Sequence, residues 1–331
     1  MKMKIVGITA LVITWSITLL MIFGQLGEEL ARRNAEHRYG RGETFADVGG
    51  YRLHYRAIGW SQPTVVFESG LDAGGLLPWY KVQPEVAQFA RTFSYDRAGI
   101  LMSQRSDKPK TADNMATDLY TLLKETGHPG PYILVGHSMA GLILRSFVDK
   151  YPNEVAGVIF VDASHPLQYE RFEQYPALKM PKPPKELLVR FVCNVGYMRL
   201  TTKKTDCYPS TKPSTPINKI QHAFLPMSLP SVYEEMRAFE TLTSEAKQAK
   251  GFGSIPFTVI TGTSKSRETE DGLDPKVGRA FMNIWMDLQK NYLSLSTNSK
   301  HILAPNSGHY VQLDEPQIVV EAVREMVNKI K

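Results

Sequence analysis

The sequence predicts an α/β fold: a mostly parallel central sheet with helices on both faces, a helical lid insertion and an N-terminal transmembrane helix. Short apolar runs alternate with amphipathic segments over residues 44–164 and again over 256–331, as is typical of parallel strands joined by crossover helices. Residues 165–255 break this alternation, and residues 5–23 form one uncharged apolar run. We therefore expect a core made of 44–164 and 256–331, with 165–255 as a lid over the carboxyl edge of the sheet.

The apolar run at the N-terminus, "IVGITALVITWSITLLMIF", has 19 residues without a charge. At about 1.5 Å per residue, a helix of this length spans the roughly 30 Å hydrocarbon layer of a bilayer. No small-residue cleavage site follows the run, which favours an uncleaved anchor over residues 1–24 rather than a secretory signal. Residues 25–43 are polar and are predicted to form a stalk. The bilayer is thus the expected partner of residues 5–23. Basic residues on both sides leave its orientation open, an extracytoplasmic catalytic domain included.

The composition narrows the range of further partners. The net charge is +6, and residues 165–255 carry 13 Lys and Arg against 8 Asp and Glu, which predicts a solvated basic face. No basic stripe with interleaved aromatic residues indicates a nucleic-acid partner. The two cysteines, Cys193 and Cys207, lie in no C-x-x-C motif or Cys/His cluster, so no metal site is expected. Whether they form a disulfide is left open.

Local signals place several helices. "TADNMATDLYTLLKETG" has one apolar face and begins after a potential cap, Thr111 or Asp113. In the lid, the clearest helices are "PPKELLVRFVCNVGYM" and "SVYEEMRAFETLTSEAK". Ser231 and Glu234 have the spacing of a capping box, which predicts that the second of these helices begins at Ser231.

The hexapeptide "GHSMAG" joins the strand-like run "PYILVG" to the helix-like run "LILRSFVDKYP". A serine on such a sharp turn stands exposed above the sheet, and the turn requires small neighbours. Gly136 and Gly141 meet this requirement, and Ala140 stands where the G-x-S-x-G pattern has glycine. Ser138 is therefore a candidate nucleophile, and a serine hydroxyl needs a neighbouring base for that role.

Five segments together resemble the α/β-hydrolase family: "ESG", "YDRAG", "GHSMAG", "FVDAS" and "SGHYVQLDEP". The resemblance covers about 44–164 and 256–331 and implies a serine-nucleophile, esterase- or lipase-like member without metal or organic cofactor. Epoxide hydrolases and haloalkane dehalogenases of this fold carry aspartate at the elbow. The serine at position 138 speaks against those reactions and implies acyl transfer.

The resemblance also implies the other catalytic residues, in the chain order serine, acid, histidine. His309, in "NSGHY", follows the last strand, where the family carries its base. The acid is predicted to be Asp162 in "IFVDASHP". Many members carry it after the strand that follows the lid, so Asp271 and Asp274 in "ETEDGLD" remain alternatives.

Two backbone amides are expected to bind the oxyanion of the tetrahedral intermediate. One is the N–H of Met139, directly after the nucleophile. By resemblance, the other is the N–H of Leu71, in the turn after "VVFESG". Asp96 and Arg97 in "YDRAG" are expected to form an ion pair that braces this region.

Together these features predict a membrane-anchored serine hydrolase that cleaves carboxylic esters of moderately hydrophobic small molecules through an acyl-enzyme. An aminopeptidase or acyltransferase would use the same residues. A peptidase would also need a lid carboxylate for the substrate amine, such as Glu173, Glu234 or Glu235. A non-enzymatic binding protein is the third alternative, and the sequence predicts no oligomeric state.

Overall fold

A central sheet of eight strands organises the molecule. The computed structural model describes residues 2–202 and 215–330, and their side chains apart from those of residues 2–7, 10, 270 and 271. The strands are β1 (Thr44–Asp47), β2 (Arg52–Ile58), β3 (Thr64–Glu68), β4 (Arg91–Tyr95), β5 (Tyr132–His137), β6 (Val155–Val161), β7 (Phe257–Gly262) and β8 (Ser299–Ala304). Their order is β1-β2-β4-β3-β5-β6-β7-β8. β3 to β8 are mutually parallel, while β1 and β2 form an antiparallel hairpin that pairs with β4. The predicted sheet is confirmed.

Helices precede, connect and cover the strands. They are α1 (Lys2–Tyr39), α2 (Gln83–Val86), α3 (Ala112–Glu125), α4 (Ala140–Lys150), α5 (Gln168–Phe172), α6 (Glu186–Asn194), α7 (Tyr197–Thr201), α8 (Pro216–Gln248), α9 (Pro275–Tyr292), α10 (Val311–Asp314) and α11 (Pro316–Ile330). Between β6 and β7 the described chain contains α5 to α8, in the segment for which a lid is predicted.

The sheet is apolar on both faces because side chains alternate along each strand. In β5, Leu134 faces a cluster built with Leu119 of α3 and Leu144 of α4. Val135 faces the opposite cluster, which contains Val323 of α11. Burial on both faces explains why the parallel strands are continuous apolar runs, and it holds their carboxyl ends at one rigid edge.

Two predicted helix starts have different outcomes. Thr111 caps α3, and its side chain accepts a hydrogen bond from the N–H of Asn114, so this prediction is confirmed. The capping box at Ser231 and Glu234 is wrong. α8 begins at Pro216 and runs through both residues. Buried side chains such as that of Phe224 (0% exposed) pack the first half of α8 onto the core, so tertiary contacts override the local signal.

The N-terminal helix is continuous through the predicted anchor and most of the predicted stalk. Leu11–Tyr39 has the length and hydropathy of a membrane span or a signal sequence, with a mean hydropathy of 1.5. Its last turns contact the lid. Glu28 pairs with Arg199 at 2.7 Å, and the Tyr39 ring lies 6.4 Å from that of Phe224.

The lid cysteines can be placed only in part. Cys193 is buried in α6, and burial raises the pKa of its thiol to about 11. The question of a disulfide with Cys207 lies outside the described residues.

Candidate active site

The turn between β5 and α4 holds Ser138 in a strained conformation. Its φ is +53°, in the left-handed region that side chains other than glycine disfavour. The neighbouring backbone fixes this geometry: Ser138 N–H donates to the Val161 carbonyl (3.2 Å), and its own carbonyl accepts from Gly141 (3.0 Å) and Ser164 (2.8 Å). A Cβ at Gly141 would lie 2.8 Å from that of Ala163, so this position requires glycine. Such over-determined strain is a common feature of functional sites.

Three of the predicted side chains meet at the carboxyl edge of the sheet. His309 Nε2 lies 2.9 Å from Ser138 Oγ, and His309 Nδ1 lies 2.6 Å from Asp162 Oδ2. Asp162 follows β6 and is fully buried. The alternative acid Asp274 instead caps α9, where its carboxylate accepts the N–H of Lys276 at 2.9 Å. The side chain of Asp271 lies outside the described residues.

Asp162 is held by more donors than His309 alone. Its Oδ1 accepts from the N–H of Gly262 (3.1 Å), from Trp285 Nε1 (2.9 Å) and from Arg267 Nη1 (3.0 Å). Arg267 Nη2 also lies 3.0 Å from Oδ2. Burial raises the pKa of Asp162, but the charge of Arg267 and the hydrogen bond with His309 outweigh it and bring the pKa to about 2. The carboxylate is therefore ionised at neutral pH.

His137 fixes the loop that carries His309. Its Nε2 lies 2.9 Å from the His309 carbonyl oxygen, to which it donates, and the two rings are 4.6 Å apart. Burial and the neighbouring charge of His309 lower the pKa of His137 to about 3. A neutral His137 can thus anchor the loop without adding a second positive charge beside His309.

The turn after β3 passes directly over Ser138. A Cβ at Gly70 would lie only 2.8 Å from Ser138 Cβ, so glycine permits the close approach. The next residue is Leu71, one of the two predicted oxyanion donors, and the other, Met139, precedes α4. Among the described residues, neither the Leu71 nor the Met139 N–H group has a hydrogen-bond acceptor. Both amides are therefore available to an oxygen atom from outside the chain.

Apolar side chains surround these two amides. Leu71 and Met139 belong to one cluster with Leu142 of α4 and Phe239 of α8. Tyr169 of α5 and Met180 extend the cluster into the segment between β6 and β7. The surroundings of Ser138 are thus mainly apolar, and they are shared between the sheet with its flanking helices and the segment between β6 and β7.

Arg97 connects the turn after β3 to α8. Its guanidinium donates to the Ser69 and Gly70 carbonyl oxygens, both at 2.6 Å. It also pairs with Glu68 at 2.7 Å and, through two bonds of 2.9 and 2.8 Å, with Glu235 of α8.

The expected ion pair between Asp96 and Arg97 is wrong. Asp96 instead pairs with His54 at 2.6 Å and accepts the N–H of Leu76 at 2.8 Å. Adjacent side chains at the end of a strand point in different directions, which separates the two charges.

Sequence reasoning did not identify Arg267, Trp285 or His137 as parts of this site, and it named Glu235 only as a possible partner of a substrate amine. Arg267 and Trp285 lie more than 100 positions from Asp162 along the chain. No local spacing marks such contacts. Of these residues, only His137 could have been suspected from the sequence, because it directly precedes Ser138.

Comparisons with known proteins agree with this architecture. A family model described as the alpha/beta hydrolase fold matches residues 63–188. An AB hydrolase superfamily protein of Gibberella zeae is 24% identical over 299 residues, which cover 82% of this chain and 88% of that protein.

Solved structures show the same fold. A thermophilic esterase from Thermogutta terrifontis aligns with a TM-score of 0.60 and 21% identity, covering 87% of this chain and 98% of its own. The Cif epoxide hydrolase from Acinetobacter nosocomialis aligns with a TM-score of 0.64 and 15% identity, covering 92% and 96%. With the sheet order, the strained turn after β5 and the family-model match, these likenesses lead to one assignment: the chain has the alpha/beta hydrolase fold.

Proposed function

We propose that this protein is a membrane-anchored serine hydrolase that cleaves carboxylic esters of moderately hydrophobic small molecules. The observation that carries the proposal is the hydrogen-bonded series Ser138–His309–Asp162, with distances of 2.9 and 2.6 Å. A base within hydrogen-bond reach of a serine, itself oriented by a carboxylate, is the arrangement that activates a hydroxyl for acyl transfer.

The proposed reaction has two halves. Ser138 Oγ attacks the ester carbonyl carbon while His309 Nε2 takes the hydroxyl proton, and the negative charge forms on the carbonyl oxygen. The N–H groups of Leu71 and Met139 stabilise this oxyanion, each by about 3 kcal/mol. His309 then gives its proton to the departing alcohol. Water, deprotonated by His309, then attacks the acyl-enzyme. The bond between Ser138 Oγ and the acyl carbon breaks, His309 returns the proton to Oγ, and the acid is released.

The apolar cluster that contains Leu71, Met139 and Phe239 supports a moderately hydrophobic acyl or alcohol group. The charge distribution argues against the aminopeptidase alternative. Glu235 is held by Arg97, and Glu234 by Arg105 and Arg190. Glu234 and Glu235 are thus already neutralised by guanidinium groups and are poorly placed to bind a substrate ammonium, which leaves Glu173 as the remaining candidate of the three.

The anchor belongs to the same proposal. The run over residues 5–23 is uncharged, and large apolar side chains of α1, such as Leu20 and Phe23, are exposed. Burial of that surface in lipid is favourable by about 25 cal/mol per Å². We therefore assign the chain a single membrane pass.

Labelling with a fluorophosphonate probe tests the nucleophile. The wild-type protein is expected to become covalently labelled, and Ser138→Ala to lose the label completely. Ser164→Ala is the matched control, because Ser164 is also buried and lies close to the elbow. It should keep the label. Labelling that survives in Ser138→Ala would show that another residue is the nucleophile.

Turnover of p-nitrophenyl esters of increasing chain length tests which bond is cleaved. The same assay tests which carboxylate orients His309. Esters should be cleaved and aminoacyl amides should not. Asp162→Asn should lower kcat by about 10³- to 10⁴-fold, as expected when the orienting carboxylate is lost. Asp274→Asn, which keeps a capping side-chain oxygen at the start of α9 and removes only the charge, should stay within about tenfold. The reverse pattern would move the acid to the later loop.

A further inference from the structure

The segment between β6 and β7 exposes an unusual set of apolar side chains. Leu187 (83% exposed), Leu188 (54%) and Phe191 (45%) lie on one side of α6, while Val189 and Cys193 on its other side are buried. Tyr197 and Leu200 of α7 are 55% and 86% exposed. We call the five exposed residues Leu187, Leu188, Phe191, Tyr197 and Leu200 the lid face. Large apolar side chains exposed together on two consecutive helices are typical of a binding surface.

The lid face lies beside the end of the apolar run of α1. Gly24 packs so closely against Val195 that an added Cβ would overlap the Val195 carbonyl oxygen. One turn later, both carboxylate oxygens of Glu28 accept from Arg199 at 2.7 Å. The link between α6 and α7 is thus fixed to residues 24–28 by contacts on the helix itself.

The helical rise gives the height of this contact above the lipid. Residues 24–28 follow the apolar run by one to five positions, or about 1.5–7.5 Å along the helix axis. A bilayer is about 40–45 Å thick with its headgroup regions, against about 30 Å for its hydrocarbon core, so each headgroup region is about 5–7.5 Å deep. If residues 5–23 fill the hydrocarbon core, the link between α6 and α7 lies at the level of the lipid headgroups.

We propose that the lid face docks onto the same bilayer that α1 spans, with its leucine and aromatic side chains inserted between lipid headgroups. The inference rests on the proposed membrane pass. Charge and residue type fit a lipid partner. Lys182 and Lys185 are exposed just before α6, where they can meet lipid phosphates, and tyrosine is enriched at membrane–water interfaces. The docked lid would receive hydrophobic esters from the lipid phase.

The test places a fluorophore at single cysteines of the full chain, in a background carrying Cys193→Ala and Cys207→Ser. Leu187→Cys and Leu200→Cys report on the lid face, and Ile17→Cys reports on the span. Each variant is labelled with an NBD group and reconstituted in phosphatidylcholine nanodiscs, with or without lipids that carry a nitroxide near the headgroup or deep in the acyl chain.

The matched control is Trp60→Cys. Trp60 is 90% exposed and lies just before β3. It is therefore at the amino edge of the parallel sheet, opposite the carboxyl edge where the proposed lid lies.

Headgroup-level nitroxide should quench the labels at 187 and 200 by about half or more and leave the label at 60 almost unchanged. Deep nitroxide should quench the label at 17. Quenching at 17 with none at 187 or 200 would overturn the docking inference and leave the membrane pass standing. A label at 17 that neither lipid quenches would overturn the membrane pass, and the docking inference with it.

Discussion

At the scale of single residues, Asp162 has more partners than a carboxylate that contacts only a histidine. Asp162 accepts two bonds from the Arg267 guanidinium as well as the bond from His309. The guanidinium lies over the Trp285 ring, 5.6 Å from its centroid. The positive charge of Arg267 lowers the pKa of the Asp162 carboxyl, which burial alone would raise. Arg267 should therefore keep Asp162 ionised at lower pH, where it can still orient His309.

The Arg267→Gln variant tests this effect. Because the pKa of Asp162 lies near 2, below its ordinary value of 3.8, its stabilising effect is present above about pH 4 and lost only as the pH falls towards 2. The pKa of His137, near 3, also lies below the pH range in which activity is measured. Removing the charge of Arg267 should raise the pKa of the buried Asp162 carboxyl. The acid limb of the kcat/KM profile should therefore move to higher pH in Arg267→Gln, because Asp162 becomes protonated at pH values where it is still ionised in the wild-type protein.

Trp285→Phe is the matched control for Arg267→Gln. It removes the N–H donor at 2.9 Å from Asp162 but keeps an aromatic ring beside the guanidinium and changes no charge. It should lower kcat without moving the acid limb. If Arg267→Gln also lowered kcat at an unchanged midpoint, Arg267 would only position Asp162, and the charge argument would be wrong.

The sequence predicted the side chains that meet in the site more fully than those that support it. Ser138, His309 and Asp162 each follow a strand that local apolar runs make visible, and parallel strands bring their carboxyl ends to one edge. Arg267 reaches Asp162 through a folded loop and through packing against Trp285. Its role depends on tertiary distance, which no spacing in the sequence encodes.

At the scale of elements, Arg97 connects α8 to the peptide group between Gly70 and Leu71. Its guanidinium donates to the Gly70 carbonyl at 2.6 Å, and the N–H of the same peptide group belongs to Leu71. A charged donor on the carbonyl fixes the peptide plane and polarises the opposite N–H, because hydrogen bonds in series strengthen one another. Glu235 of α8 in turn holds Arg97 through two bonds.

The Glu235→Gln variant should therefore weaken oxyanion stabilisation from within the lid. We expect kcat to fall about tenfold with little change in KM, because the loss of about 1.4 kcal/mol affects the transition state more than the bound ester. Steady-state kinetics with one p-nitrophenyl ester measures both constants. A rise in KM at constant kcat would instead assign Glu235 to substrate binding.

The neighbouring carboxylate supplies the control for Glu235→Gln. Glu234 precedes Glu235 on α8, but its partners Arg105 and Arg190 are partly exposed, at 35% and 45%. Exposed ion pairs contribute about 0–1 kcal/mol. Glu234→Gln should thus change kcat less than twofold, and an equal loss in both variants would point to a general effect on α8.

The start of a helix was predictable from the sequence where one local signal dominated. The α3 cap at Thr111 follows from a short side chain before an amphipathic run, and the structure agrees. The start of α8 was not predictable from Ser231, Pro226 or Pro230, because burial of Phe224 and its neighbours keeps the helix continuous through both prolines. Tertiary packing outweighed the local preference.

At the scale of the whole molecule, α1 has two different surroundings along one continuous helix. Most large side chains of its apolar run are exposed, such as Trp15 at 61%. Beyond the run, Ala35 is buried, Glu28 pairs with Arg199, and Tyr39 packs against Phe224. The polar composition that predicts a stalk for residues 25–43 contains no sign of these contacts, because they depend on the partner surface of the lid.

Two truncations test the two parts of α1 separately. Deleting residues 1–23 removes only the apolar run and should give a protein that stays in solution without detergent and still cleaves soluble esters. Deleting residues 1–39 also removes Glu28, Ala35 and Tyr39, and should lower the free energy of unfolding by about 3 kcal/mol through loss of a charged hydrogen-bonded pair and an aromatic contact. Urea denaturation of the two proteins, with the shorter deletion as reference, measures this difference. Equal midpoints would mean that residues 24–39 add nothing to stability, as expected for a free stalk. A lower midpoint for the longer deletion would make those residues a structural part of the catalytic domain.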